Sequence, residues 1–185
     1  MKYPGNELEL FDKAKVWRKY IYFKTKKYFK GKFLEIGAGI GSFTRNYESN
    51  FSEIIISDLD EKNNKILNEK FENFKNIKIT NKKINEIQET FDTIIYLNVL
   101  EHIEKDKEEI MEAEKKLNPG GHLIILVPAH QKLYSKFDEA IGHFRRYDIN
   151  FFKKNIFKNS EIVKLKYLDV FGYFFYFLNK FFFKE

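Results

Sequence analysis

The 185-residue sequence has no cysteine, three prolines, nine glycines and a single tryptophan. Without cysteine there is no disulfide framework, no thiolate zinc site and no cysteine nucleophile. No apolar run reaches the ~18–20 residues that span a bilayer. The opening Met1-Lys2-Tyr3-Pro4-Gly5-Asn6 is too polar for a secretory signal. A cytoplasmic protein is therefore the expectation. The length suits one domain with a full core, read as a helical cap (1–30), a binding core (31–168) and an aromatic tail (169–185).

The formal net charge is +6. The lysines are scattered with acids between them, and only Arg145-Arg146 forms an arginine pair. That pattern reads as a solvated surface rather than a nucleic-acid footprint. No metal-ligand set is assigned.

What the chain does have is Phe33-Leu34-Glu35-Ile36-Gly37-Ala38-Gly39-Ile40-Gly41, followed by Ile54-Ile55-Ile56-Ser57-Asp58. An apolar run ending in alternating glycines reads as a buried strand turning sharply, with backbone open to close approach by a ligand. An acid at the end of the next apolar run suits the two hydroxyls of a ribose. The pair points to a nucleoside-containing cofactor.

Spacing along the chain predicts an amphipathic helix over Glu7–Phe29, a strand over Lys32–Ile36, a short helix over Gly41–Tyr47 and a strand over Ile54–Ser57. A helix over Glu61–Phe71, strands over Ile77–Thr80 and Thr90–Leu97, and a charged helix over Ile103–Leu117 follow. Asn118-Pro119-Gly120-Gly121 reads as a turn into a fifth strand, His122–Pro128. A polar and aromatic stretch (Ala129–Tyr147), a helix (Ile149–Phe157) and a sixth strand (Glu161–Leu168) complete the core. Alternating strands and helices imply right-handed crossovers and a mainly parallel sheet. The unusual residues then sit at strand ends: Gly37–Gly41, Asp58, Asn98–His102 and Ala129-His130, where an open sheet binds its ligands.

These motifs, with Leu97-Asn98-Val99-Leu100-Glu101-His102-Ile103 and Leu117-Asn118-Pro119-Gly120-Gly121, resemble the ordered motifs of class I S-adenosylmethionine-dependent methyltransferases from about Phe11 to Tyr167. The resemblance implies an α/β fold: a Rossmann-like, doubly wound, mainly parallel sheet with helices on both faces. It implies S-adenosylmethionine as cofactor, with Gly37, Ala38, Gly39 and Gly41 letting the backbone approach its methionine part. Glu35 would organise that loop, Asp58 would accept the ribose hydroxyls and Leu59 would pack on the adenine. Asn98 and the neighbouring Val99 would lie near the methionine amino group. The acid such enzymes carry after the third strand is replaced here by Thr80-Asn81-Lys82-Lys83-Ile84-Asn85, leaving Asn81, Asn85 or backbone groups to meet the adenine. The stretch from Val127 through Asp138 to Tyr147 also resembles a branch associated with glycosyl transfer and cell-surface polysaccharides.

Methyl transfer from a sulfonium is an in-line displacement that needs positioning and exclusion of water. A base is required only where the acceptor must lose a proton. His130 and His143 are the candidates for it, and Arg145, Arg146 and Tyr147 are candidates to bind the acceptor, a small molecule or a glycan- or lipid-linked compound. Glu101-His102 reads either as the first turn of a helix or as part of the cleft wall. From Val170 to Phe183 the chain holds seven phenylalanines, two tyrosines and one lysine. That tail reads either as a core helix or as an aromatic anchor at a membrane surface. The seventh, antiparallel strand usual in such enzymes is missing. An open sheet edge would follow, able to pair with a second copy, and a second reading is a catalytically weak subunit that docks through that edge and tail.

Overall fold

The computed structural model describes residues 12–154 and 157–168. Five strands form one sheet: β1 (Phe33–Ile36), β2 (Ile54–Ser57), β3 (Ile77–Thr80), β4 (Phe91–Leu97) and β5 (Leu117–Leu126). Their order is β3-β2-β1-β4-β5, and every pairing is parallel. The chain therefore winds outward from β1 in one direction and then restarts at β4 in the other. The crevice of such a sheet opens at the carboxyl ends of β1 and β4, where the direction reverses.

Both faces are covered, as the period-2 alternation of the strands requires. Phe33, Ile54, Ile56 and Ile95 pack on one side with Ile21 of α1 (Lys15–Thr25) and with Leu67 and Phe71 of α2 (Glu61–Phe71). Leu34, Ile36, Ile55, Ile94 and Tyr96 face the other side, against Ala113 of α3 (Asp106–Lys115) and the short turn carrying Ile84. Two shorter helices, α4 (Lys136–Ala140) and α5 (Ile149–Lys153), follow β5. Helix α2 starts cleanly because the Asp60 carboxylate accepts hydrogen bonds from the amides of Lys62 and Asn63.

Several boundaries differ from expectation for identifiable reasons. The helix expected over Gly41–Tyr47 is a series of turns closing in a 3-10 turn at Thr44–Asn46. Gly41 has φ +72°, outside the right-handed helical region. Helix α3 begins at Asp106 because a 3-10 turn over Leu100–His102 precedes it and ends at an extended Ile103. The Asn118–Gly121 segment lies inside β5 as a bulge. Leu117 pairs with Phe91 and His122 with Thr93, so the four residues stand opposite Asp92 alone.

The sixth strand expected over Glu161–Leu168 is not formed. Ile162 and Val163 are exposed, so the alternation buries no face there. Lys158 and Asn159 instead donate their amides to the Glu114 carboxylate at the end of α3. In α1 the apolar spacing is only partly used, with Val16 and Phe23 facing solvent. Helix α5 ends at Lys153, short of the expected Phe157. Among the described residues no antiparallel strand joins β5, and no helix is long and apolar enough to cross a membrane. The aromatic tail and the residues before Asp12 lie outside the described residues.

Candidate functional site

The end of β1 turns through three left-handed glycines: Gly37 (φ +67°), Gly39 (φ +56°) and Gly41 (φ +72°). They do different work. A Cβ on Gly37 would overlap the side chain of Val99, so this glycine lets the β1 and β4 loops touch. A Cβ on Gly41 would come within 2.5 Å of Phe71, so that glycine serves the packing of α2 and does not line the crevice. The amides of Gly37 and Ala38 donate to Ser57 O at 2.7 and 3.1 Å, tying the loop to the end of β2.

Asp58 completes this corner. Its Oδ2 accepts from the Gly39 amide at 2.7 Å, and its Oδ1 accepts from the Asp60 amide (2.9 Å) and Asn63 Nδ2 (3.1 Å). Oδ2 thus keeps room for one further donor, whereas Oδ1 already has two. Burial raises the Asp58 carboxyl above its ordinary value, and the bonds from Asp60, Asn63 and Gly39 oppose that. Glu35 lies behind the loop, buried, and its carboxylate accepts from Thr44 Oγ1 at 2.6 Å and from the Tyr47 hydroxyl. Desolvation outweighs those two donors and pushes the Glu35 carboxyl up to about 7.

One crevice of about 1560 Å³ connects these residues. It takes in Glu35, Gly37, Ala38, Gly39, Asp58 and Leu59 from the first half of the chain. Asn98 and Val99 join them from the end of β4. Asn98 is exposed and holds φ +53° while its amide bonds to Leu126 O, a strained position that asparagine tolerates better than most residues. After β3, Lys82, Lys83 and Asn85 line the crevice, and Asn81 does not.

The two histidine candidates separate. His143 lines the crevice, with Nδ1 2.9 Å from Asp138 Oδ1. His130 is carried to a neighbouring cavity of about 530 Å³, where its ring stacks on Tyr167. The three residues expected at the acceptor are engaged inside the protein. Arg145 Nη1 lies 2.6 Å from Asp106 Oδ2 and also donates to Ile103 O. Arg146 Nε donates to the buried Asp138 at 2.9 Å. The Tyr147 hydroxyl, also buried, donates toward Asp106 and Leu100 O. None of the three lines the main crevice, and Arg146 and Tyr147 line the second cavity. The Arg145 and Tyr147 contacts brace the β4–α3 loop, whereas Arg146 ties to Asp138 and Gln131.

That bracing brings Glu101, His102 and His143 together. The Phe144 amide donates to Glu101 O at 2.8 Å, and His102 Nδ1 donates to Gly142 O at 3.1 Å. Glu101 is fully buried, yet neither of its carboxylate oxygens has a hydrogen-bond partner. Burial pushes this carboxyl up to about 8. The Glu101-His102 pair at a strand end was a signal in the sequence; the arrival of His143 beside it was not.

A family model described as a methyltransferase domain matches residues 11–159. The chain belongs to the methyltransferase domain family. The fold has the same kinship. An S-adenosylmethionine-dependent methyltransferase from Clostridium acetobutylicum superposes with a TM-score of 0.57 at 22% identity, over 68% of this chain and 58% of that one. The N-methyltransferase NodS of Bradyrhizobium japonicum, in complex with S-adenosyl-L-homocysteine, gives 0.59 at 19% identity over 72% and 68%. The YcgJ protein of Bacillus gives 0.62 at 14% identity over 74% and 64%. No curated protein matches the sequence. The methyltransferase-domain chain thus spans about three fifths to two thirds of these relatives' length.

Proposed function

We propose that this methyltransferase domain binds S-adenosylmethionine at the Gly37–Asp58 corner and directs its methyl group to a small-molecule or glycan- or lipid-linked acceptor. The observation that carries the reading is the convergence of the β1, β2 and β4 ends on one crevice, with the Asp58 carboxylate already bonded to the glycine loop. When bound, the cofactor supplies an electrophilic methyl group on sulfur, which an acceptor lone pair takes in line as the sulfur–carbon bond breaks. The chain's own residues hold and orient. Asp58 Oδ2 has capacity for one ribose hydroxyl, so the second hydroxyl would have to share or displace a donor at Oδ1. Leu59, half exposed beside Asp58, is placed to pack on the adenine.

In this reading the acceptor enters on the Glu101–His143 side, which His143 lines and His130 does not. The resemblance of residues 127–147 to a branch associated with surface polysaccharides favours a sugar-containing acceptor. Titration calorimetry with S-adenosylmethionine and S-adenosylhomocysteine tests the cofactor assignment. The expected result is micromolar binding that Asp58→Ala weakens roughly ten- to a hundredfold, the loss of one charge-assisted hydrogen bond. Unchanged affinity in Asp58→Ala would refute the placement.

A further inference from the structure

We propose that Glu101, His102 and His143 form a binding site for a divalent transition-metal ion at the acceptor end of the crevice. Each residue offers one ligand atom, and the three atoms lie within 4.8 Å of one another. Two imidazoles and a carboxylate are a donor set that suits zinc, iron, manganese or cobalt, whereas magnesium and calcium prefer oxygen.

Three observations support a metal rather than a casual cluster. The first is Glu101. As an anion, a carboxyl group with no exposed surface and no hydrogen bond from another residue is costly to bury, and a cation is a partner that would compensate it. The second is the tautomer of each histidine. Gly142 O can only accept, so His102 Nδ1 carries a proton and the lone pair of the neutral ring sits on Nε2. The Asp138 carboxylate fixes His143 in the same way, with Nε2 3.9 Å from Glu101 Oε1. A carboxylate or carbonyl on the far nitrogen is what orients metal-binding imidazoles and raises their basicity. The third is distance. Ligands around tetrahedral zinc are about 3.4 Å apart by its bond lengths; the His143–Glu101 pair, at 3.9 Å, needs a shift of about half an ångström, and no pair of the three is farther apart than 4.8 Å.

All three residues line the crevice that holds Gly37, Asp58 and Asn98. Three protein ligands leave at least one coordination position, and an oxygen of the acceptor would occupy it. This last role rests on the methyl-transfer reading; the metal site itself does not.

The test uses the full chain after chelator treatment, titrated with Zn²⁺ by calorimetry and with Co²⁺ by visible absorption, and compared with Glu101→Gln and His102→Gln. The expected result is one equivalent of Zn²⁺, a Co²⁺ d–d spectrum, and at least tenfold weaker binding in each variant. At a hundredfold excess over its Kd, Zn²⁺ should raise the wild-type Tm by about 5–10 °C. Glu101→Gln should melt higher than the wild type without metal and gain little from Zn²⁺. Near-ultraviolet circular dichroism confirms that each variant is folded, and the second variant decides if one is not. Absence of Zn²⁺ binding by the wild type, or undiminished binding in the folded variants, overturns the site. Loss of S-adenosylmethionine binding with Zn²⁺ binding intact would instead overturn the functional reading and leave the metal site standing.

Discussion

The two ends of the crevice are built on different principles. At the Gly37–Asp58 end, partners are close in the chain: Gly39 and Asp58 are 19 residues apart, and Glu35 finds its donors at Thr44 and Tyr47. At the Glu101–His143 end, the links run from Glu101 to Phe144, His102 to Gly142, Ile103 to Arg145 and Asp106 to Tyr147. The first end is set by a local motif whose Asp58 carboxylate accepts from Gly39, Asp60 and Asn63. The second is an assembly of distant segments around Glu101, a buried carboxyl group that accepts no hydrogen bond from another residue. A local motif holds its shape before any ligand arrives, whereas the distant assembly depends on the bonds that pin the 138–147 segment in place.

That contrast can be broken most sharply at Asp138. Its buried carboxylate receives Arg146, His143, Ser135 N and Ser135 Oγ together. Asp138→Ala takes a buried counter-charge from the mostly buried Arg146 guanidinium, and should cost about 3–5 kcal/mol in urea unfolding. A loss under about 1 kcal/mol would mean that the Glu101–His143 end does not hang on this cluster.

At the Gly37–Asp58 end the corresponding probe is pH. Glu35 has an ordinary value of 4.5 and is raised to about 7 in the folded protein. The folded state therefore holds the proton longer than the unfolded chain. Its contribution is fully present below pH 4.5 and is lost as pH rises through about 7. The loss amounts to about 3 kcal/mol. Glu35→Gln should remove this segment of the stability–pH curve, seen as the difference between the two proteins' unfolding free energies across that window. Parallel curves for the two proteins would show that Glu35 is not desolvated as described.

A smaller effect is expected at the seam between the two ends. Gly37→Ala adds a methyl group against Val99 at a left-handed position, costing about 1–3 kcal/mol. Because Val99 carries the strain toward Leu100 and Glu101, cofactor affinity and stability should fall together. A stable variant with normal affinity would show that the two loops do not press on each other.

Legibility in the sequence followed the range of the interactions. Strands β1 to β4 were readable because each is a short run rich in apolar residues that ends at glycine, acid or asparagine; β5 was readable only from His122 on, because Asn118-Pro119-Gly120-Gly121 reads as a turn and not as a bulge within a strand. The Gly37–Gly39 turn and Asp58 were readable because their chemistry is local. The 3-10 turn at Thr44–Asn46 was not, since it depends on Thr44 and Tyr47 reaching back to Glu35. Arg145, Arg146 and Tyr147 read as ligands for an acceptor because three polar or aromatic residues after β5 look available. Their counterparts, Asp106 and Asp138, are set by packing that no spacing rule reveals. The strand expected over Glu161–Leu168 failed for a related reason: apolar residues such as Val163 make a strand only where a neighbour covers them.

The sequence by itself determined the parallel α/β architecture, the glycine turn and its acid, because periodicity and turn chemistry act over a few residues. Only the tertiary structure decided which histidine reaches the crevice and which is drawn to Tyr167. It also decided that Glu101, His102 and His143 meet. The reason is physical: some 40 residues separate the partners, and their meeting depends on the Phe144–Glu101 and His102–Gly142 hydrogen bonds, which exist only once β5 has docked beside β4.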